Sequence, residues 1–410
     1  MYTPPREELM RRVRALPSAA PLLAAVGDEP GLYLVGGAVR DLLLELDGDR
    51  SPRAVDIDLV AEGDVAALAA RLGGPYVLHE RFGTATVTLD GNSYDLAAAR
   101  RETYAEPGAL PDVSPATLRE DLLRRDFTVN AMAIALGGSR SGELTAAPNA
   151  LEDLSARRLR VLHDRSFIDD PTRLLRLVRY ASRLGFDVDS ATLALARAAV
   201  AAGALGTVSG SRIGSELRLL AREDDPVAAL AALTPLGLDH ALHPRFGLTD
   251  AGLARRALAL LPRDGRRDVL TLALALADVP RAELGPLLDE LAFDAESRDA
   301  IIAAASGAER TAAALAATRR PSKIAAAVAG ARPELVALAG ALGPEEEARE
   351  WLERLRHVRL EIDGTDLIAA GVPEGPAVGR GLRAALAAKL DGRAAGHERE
   401  LAEAVRAARE

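Results

Sequence analysis

"LYLVGGAVRDLLL" (32–44) leads, after a gap, into "AVDIDLV" (54–60), and the reading of these two stretches decides the fold. "LYLV" is a short apolar strand stopped by Gly36-Gly37, and the residues after it carry helical spacing. "AVDIDLV" alternates, so Val55, Ile57 and Leu59 face a core while Asp56 and Asp58 project together from the other face. Paired glycines before a helix let backbone N–H groups approach an anion at the helix N-terminus. Arg40, one turn in, can add a charge-assisted contact to phosphate. Two carboxylates on one strand face repel unless a cation lies between them. A hard divalent ion such as Mg²⁺ does this and also binds phosphate oxygens. Asp95, in "SYDLA", joins the pair if its strand runs beside the first. The plain alternatives are an edge strand with a solvated polar face and a tight strand-to-helix turn. The chain has neither a Walker A loop nor a G-x-G-x-x-G fingerprint here.

Outward from this pair, "GDVAALAARLG" reads as a second amphipathic helix, and "TATVTL" and "SYDLAAA" as strands joined at Asp90-Gly91-Asn92. "SPATLREDLLRR" opens like a helix, with Ser114 as N-cap and Pro115 at its first position, and "TVNAMAIAL" closes as a buried strand. From about residue 150 onward, Ala/Leu/Arg helices replace strands. The class expected is an α/β head with a small mixed sheet, followed by all-α domains. With 410 residues the chain is long enough for two or three domains, and 49% hydrophobic with 27% charged residues is an ordinary globular balance. The absence of cysteine removes disulfides, thiolate zinc sites and a cysteine nucleophile. No segment approaches the roughly 18 apolar residues of a membrane span, and the first residues do not read as a signal peptide, so a cytoplasmic protein is expected. Net charge is −9, yet residues 157–183 hold eight Arg against three Asp, a local basic patch. His163-Asp164 and the pair His240/His243 do not complete a metal-ligand set and read as ordinary residues.

"GGAVRDLLL…DIDLV", "RFGTATV", "ARRETYAEPGALPDVSPATLREDL", "RRDFTVNAMAI" (124–134), "DDPTRLLRLVRYASRLGF" (169–186) and "VSGSRIGSEL" (208–217) occur in one order. In that order they resemble the class II tRNA nucleotidyltransferase and bacterial poly(A) polymerase family, with a weaker echo at 360–395. The resemblance implies a nucleotidyltransferase head (1–140), a helical neck that recognises the base (141–222), and a helical body (223–350) and tail (351–410) that bind tRNA. It implies Asp56 and Asp58 as ligands of two Mg²⁺ ions, with Asp95 as a further catalytic carboxylate. One ion activates the RNA 3′-hydroxyl and the other holds the triphosphate, and pyrophosphate leaves. Gly36, Gly37 and Arg40 would hold the triphosphate, and Arg125, Asp126 and Asn130 would select ribonucleotides. Arg124-Arg125 also suits a plain helix C-terminus.

Asp170, Arg173, Arg176 and Arg179 match the family's base-reading helix, with Asp169 where the family commonly has Glu. A carboxylate can accept from the exocyclic amino group of cytosine or adenine, and a guanidinium can donate to the adjacent ring nitrogen. Uracil and guanine present the reverse order. Asp170 before Pro171 is equally a good helix cap. The family's usual hinge glycine is replaced in "APNALEDL", where Asn149 can supply a left-handed conformation.

The activity expected is addition and repair of the tRNA 3′ CCA end from CTP and ATP. The alternatives are an A-adding partner in a split system, a poly(A) polymerase, or a catalytically silent RNA-binding scaffold. Residues 99–113 resemble the loop of enzymes that add A, which disfavours a C-only enzyme. Residues 393–410 carry four Arg and four Glu, unlike the basic extension of poly(A) polymerases. The expected partner is tRNA, gripped at its acceptor and T-arm region. No membrane or protein partner is expected.

Overall fold

In the computed structural model, which describes residues 4–46, 57–79 and 83–410, the chain forms two units, Met1–Ser209 and Gly210–Glu410. The first opens with α1 (Arg6–Ala15) and α2 (Ala19–Val26), then β1 (Leu32–Val35), α3 (Gly37–Leu46), β2 (Asp58–Ala61) and α4 (Val65–Arg71). There follow β3 (Tyr76–His79), β4 (Thr84–Leu89), β5 (Asn92–Ala98), β6 (Arg100–Thr103), β7 (Asp112–Pro115) and α5 (Leu118–Leu123). After β8 (Met132–Ala135) and β9 (Leu144–Ala146) come α6 (Ala150–Ser155), β10 (Arg158–Leu159), α7 (Ser166–Asp169), α8 (Thr172–Leu184), β11 (Asp187–Val188) and α9 (Ser190–Ala201). Seven strands make one sheet in the order β3-β4-β5-β2-β1-β8-β9. Its pairs are antiparallel except β2–β5, which is parallel.

The β4–β5 hairpin turns at Asp90 and Gly91, both at positive φ, as a tight two-residue turn requires. One face of the sheet is sealed by Leu32, Leu34, Leu59, Tyr94, Leu96 and Val87, all nearly fully buried, with α3 and α4 packed on strands of the sheet. On the other face, α5 brings Leu118 and Leu122 onto Tyr33, Val35, Val60, Ala133 and Ala135. That face is thus covered over β1 and β8 and left open toward β5, β4 and β3.

Two local expectations change. Ser114 and Pro115 belong to β7, paired with Arg101 and Arg100, and do not cap α5. Thr117 caps that helix instead, in a reciprocal capping box with Glu120 that satisfies two orphan backbone donors at once. Strands do not stop at residue 150 either: Arg158 and Leu159 pair in parallel with Asp187 and Val188, a short clip beside α8. Asn149, at φ +64°, adopts the left-handed conformation anticipated for it.

The second unit is helical. The 22-residue helix Ala295–Ala316 packs on Pro333–Ala341 and Arg267–Ala275 over a core that includes Leu270, Leu315, Val336 and Leu352. Toward its end, helices Pro376–Leu390 and His397–Arg409 enclose a smaller core of Leu367, Ala385 and Ala404. Among the described residues no helix is long and apolar enough to cross a membrane.

Candidate active site

The parallel pairing of β2 with β5 sets Asp58 directly opposite Asp95, and Thr86 lies opposite Asp95 on β4. With Val77 opposite Thr86 and Val35 opposite Asp58, a single cross-strand row runs over one face of the sheet. Thr86 Oγ1 donates to Asp95 Oδ1 at 2.9 Å, so the second carboxylate is held by its neighbour across the hairpin. Val35, Asp58, Asp95 and Thr86 of this row floor a cavity of about 380 Å³ lined also by His79, Thr84, Arg124 and Arg125. The condition placed on Asp95 in the sequence, that its strand run beside the first, is met.

Asp58 and Asp95 offer hard oxygen donors side by side on an open face, a donor set suited to Mg²⁺. Asp56 lies outside the described residues. Among the described residues, no three His, Cys, Asp or Glu side chains are grouped to share an ion.

β1 ends at Gly36, whose φ of +73° is costly for any residue with a side chain. A Cβ there would sit 3.3 Å from Arg125 Nη1 and 3.7 Å from Asp58 Oδ2. Glycine therefore lets the turn lie against both the carboxylate and the guanidinium. The N–H of Gly36 donates to the carbonyl of Met132 and is committed to the pairing of β1 with β8. The first turn of α3, starting at Gly37, presents backbone N–H groups with no acceptor within the helix.

Arg40 is only 2% exposed. Its Nε donates to Asp41, and its Nη1 donates to Asn130 Oδ1 at 2.6 Å. The Asn130 amide then donates to Asp126 Oδ1 at 3.0 Å, and Asp126 Oδ2 accepts from Arg176 Nη2 and Nε at 2.5 and 3.0 Å. Burial pushes the Asp126 carboxyl up, but the Arg176 charge and the bonds from Asn130 and Arg176 outweigh it and hold it at about 2. Arg40, Asn130, Asp126 and Arg176 thus form one chain of contacts from α3 to α8.

Arg125 donates through Nη2 to Asp121 Oδ2 at 3.0 Å, and its buried Nε has no hydrogen-bond partner. Asp121, fully buried, also takes Arg124 Nε and Nη2, while Arg124 Nη1 reaches Glu102. On α8, Arg173 is 4% exposed and donates to Ser166 Oγ and to the Arg124 carbonyl. Asp170 Oδ1 accepts from both the N–H and the hydroxyl of Thr172, a capping arrangement at the start of α8. Arg179 is buried and lies 4.8 Å from the Tyr180 ring centroid. Asp169 accepts from Arg165.

The structure therefore brings Asp58, Asp95 and Arg125 to one cavity, with the Gly36 turn against Asp58 and Arg125. It brings Arg40, Asn130, Asp126 and Arg176 into one polar lattice, and Arg173 into contact with Ser166 and the Arg124 carbonyl. The loop of residues 99–113 meets the same lattice. The Tyr104 hydroxyl donates to Glu102 at 3.0 Å, and burial beside Glu102 raises its pKa. Gly108, at φ +71°, donates its N–H to the Ile168 carbonyl, and a Cβ there would clash with Thr207.

Asp121, Thr86 and Tyr180 went unnoticed in the sequence. For Thr86 a signal existed, because the tight Asp90-Gly91 turn fixes the register that sets it opposite Asp95. Asp121 had no local signal, since "EDL" reads as an ordinary acidic first turn.

Residues 32–160 match the poly A polymerase head domain family. The chain is 35% identical to the A-adding tRNA nucleotidyltransferase of Geobacter sulfurreducens, over 98% of its own length and 48% of that protein's. It is 34% identical to the CC-adding tRNA nucleotidyltransferase of Deinococcus radiodurans, over 93% of its own length and 91% of that protein's. The structure of the Thermotoga maritima CCA-adding enzyme complexed with tRNA is similar at a TM-score of 0.73, with 27% identity and 98% of each chain covered. The chain spans about half the length of the Geobacter relative and nearly all of the Deinococcus one.

Proposed function

The chain belongs to the class II tRNA nucleotidyltransferase family that carries the poly(A) polymerase head, and from that premise we propose that it adds nucleotides to the 3′ end of tRNA. The observation that carries the reading is the pairing of Asp58 with Asp95 on an open sheet face, beside a glycine turn and a helix N-terminus. In this reading Asp58 and Asp95, with Asp56, hold Mg²⁺. The first turn of α3 from Gly37, with Arg125 beside Gly36, binds the triphosphate. When bound, such an ion promotes ionisation of the RNA 3′-hydroxyl and neutralises charge on the triphosphate. The α-phosphorus–oxygen bond to the incoming 3′-oxygen forms as the bond to pyrophosphate breaks. Thr86 keeps the Asp95 carboxylate turned toward the cavity, and Asp121 keeps Arg125 beside the phosphates.

Asp126 and Asn130 stand behind the sugar position, and Asp170 and Arg173 read the base from the neck. The body (223–350) and tail (351–410) hold the tRNA through backbone charge and shape, so affinity falls as salt rises.

Within this activity we favour an A-adding enzyme of a split system over a complete CCA-adding one. The support is the A-adding relative together with the retained loop 99–113, whose Tyr104 and Gly108 engage Glu102 and α7. The test is incubation with tRNAs that end one, two or three nucleotides short of complete CCA, supplying each NTP alone. An A-adding enzyme extends only the tRNA lacking the terminal A, and only with ATP. Extension of the shorter tRNAs with CTP restores the CCA-adding reading. No extension of any tRNA overturns the function.

A further inference from the structure

Resting on the nucleotidyl-transfer reading, we propose that Tyr180 is a positioning residue for nucleotide selection: its ring couples α8, which reads the base, to α3, which faces the phosphates. Three guanidinium groups surround this ring. Arg40 of α3 lies 5.7 Å from its centroid, and Arg176 and Arg179 of α8 lie at 5.6 and 4.8 Å. Phe127 meets it edge-on at 5.9 Å and 85°, and Arg176 Nη2 donates to its hydroxyl at 3.3 Å.

Three like charges around one point repel, and the negative faces of an aromatic ring offset that repulsion where an aliphatic side chain would not. The ring also closes a circuit. Arg40 binds Asn130, Asn130 binds Asp126, Asp126 binds Arg176, and Arg176 and Arg40 both lie against Tyr180. The ring thus adds a second link between α3 and α8 beside the polar contacts through Asn130 and Asp126.

Arg173, Arg176 and Tyr180 are spaced i, i+3 and i+7 and so share one helix face. On that face Arg173 bonds the Arg124 carbonyl, Arg176 bonds Asp126, and Tyr180 packs on Phe127 and Arg40. Tyr180 is the far anchor of the three. Loosening it lets α8 move against α3, which shifts Asp170 and Arg173 relative to the Gly36 turn. A base is then no longer held in register with its own triphosphate. The effect falls on nucleotide choice and transfer, and leaves the RNA-binding surface of the second unit untouched.

The experiment uses the full chain with Tyr180→Phe, Tyr180→Leu and a series of phenylalanines bearing one to five ring fluorines at position 180. Fluorine drains the ring's negative face at nearly constant size. For each, kcat and KM for ATP, the KM for tRNA, and the relative incorporation of UTP and GTP are measured, together with equilibrium binding of ATP and UTP without tRNA. Tyr180→Phe keeps the ring and stays within about threefold of the parent. Tyr180→Leu loses roughly tenfold in kcat/KM for ATP and in preference for ATP over UTP, with the KM for tRNA unchanged. The fluorine series declines stepwise between them.

Selection unchanged in Tyr180→Leu, a flat fluorine series, or equal losses in Tyr180→Phe and Tyr180→Leu each overturn the proposal. If Tyr180→Leu does not fold, the fluorine series decides. If the parent transfers no nucleotide, the functional reading fails, and the binding preference for ATP over UTP across the series still tests Tyr180.

Discussion

On the open half of the sheet, Asp58 and Asp95 face a cavity, with Thr86 turned onto Asp95 and Asp58 exposed. A short way along the same unit, Asp126, Arg40 and Arg173 are each less than a tenth exposed, Asp126 and Arg40 joined through Asn130 and Arg173 bonded to Ser166 and the Arg124 carbonyl. The residue types are the same and the physical situation is opposite. A carboxylate on an exposed strand face keeps contact with water and stays within reach of a cation. A carboxylate buried in the lattice has lost its water and is stable only because two partners replace it. The open group is therefore fitted for chemistry and the buried group for holding the reacting parts at fixed distances.

Removing one member from each side breaks this contrast most sharply. Asp58→Ala is expected to cost at least a hundredfold to thousandfold in kcat, to judge by the loss of comparable charge-stabilising groups, with an unchanged melting temperature. Steady-state addition of a nucleotide to tRNA alongside a thermal melt reads both. A large loss of stability would place Asp58 among the structural carboxylates. Arg176→Ala does the reverse. It strands the Asp126 charge and should destabilise the first unit by about 3 kcal/mol, read as a lowered denaturant midpoint.

The Asp126 carboxyl, held at about 2 against an ordinary 3.8, gives the lattice a pH signature. A depressed folded-state pKa adds stability that is complete above the unfolded value and is lost as pH falls through the folded one. Stability should drop by about 2 kcal/mol between roughly pH 4 and pH 2. In Asp126→Asn that share of the acid sensitivity disappears. Equal acid slopes in parent and variant would show the carboxylate is not carrying this load.

Smaller effects sharpen the same division. Thr86→Val leaves the open row intact but frees Asp95, and should lower kcat about fivefold with no change in the KM for tRNA. Asp170→Ala removes the cap on Thr172, worth about 1 kcal/mol of stability. If Asp170 also reads the base, the variant accepts more UTP and GTP relative to ATP. A stability loss with unchanged nucleotide choice makes it a cap alone.

Much of the open site is legible in the sequence. The alternation in "DIDLV" turns Asp58 away from the core side of Leu59, Gly36-Gly37 marks the turn, and Asp90-Gly91 marks the hairpin that carries Asp95. These are local rules with a period of two or a required φ, and local rules survive in sequence. The lattice was far less legible. Asp121, Asp126, Asn130 and the α8 arginines come together through packing of segments distant in the chain, and an isolated Arg or Asp has the same local pattern whether it is solvated or buried. Ser114 was misread for a related reason. It has good capping chemistry, but pairing with β6 claimed it, and the box at Thr117 and Glu120 offered α5 a better start.

The parallel pairing of β2 with β5 also bears on the order in which the site comes into being. A hairpin can close from neighbouring residues, but a parallel pair must wait for the intervening α4, β3 and β4 to be laid down. β1 likewise waits, since one of its two partners is residues 133–135. Bringing such distant strands together is penalised by loop-closure entropy before any contact offsets it, and topologies of this kind fold slowly. During synthesis, then, the two carboxylates spend their first moments on separate, unjoined strands. A ribosome-bound fragment ending before residue 130 would already hold Asp58 and Asp95 in its sequence yet lack β8 and β9, which complete the sheet beside β1, so the pair becomes a site only near the end of the head's own assembly.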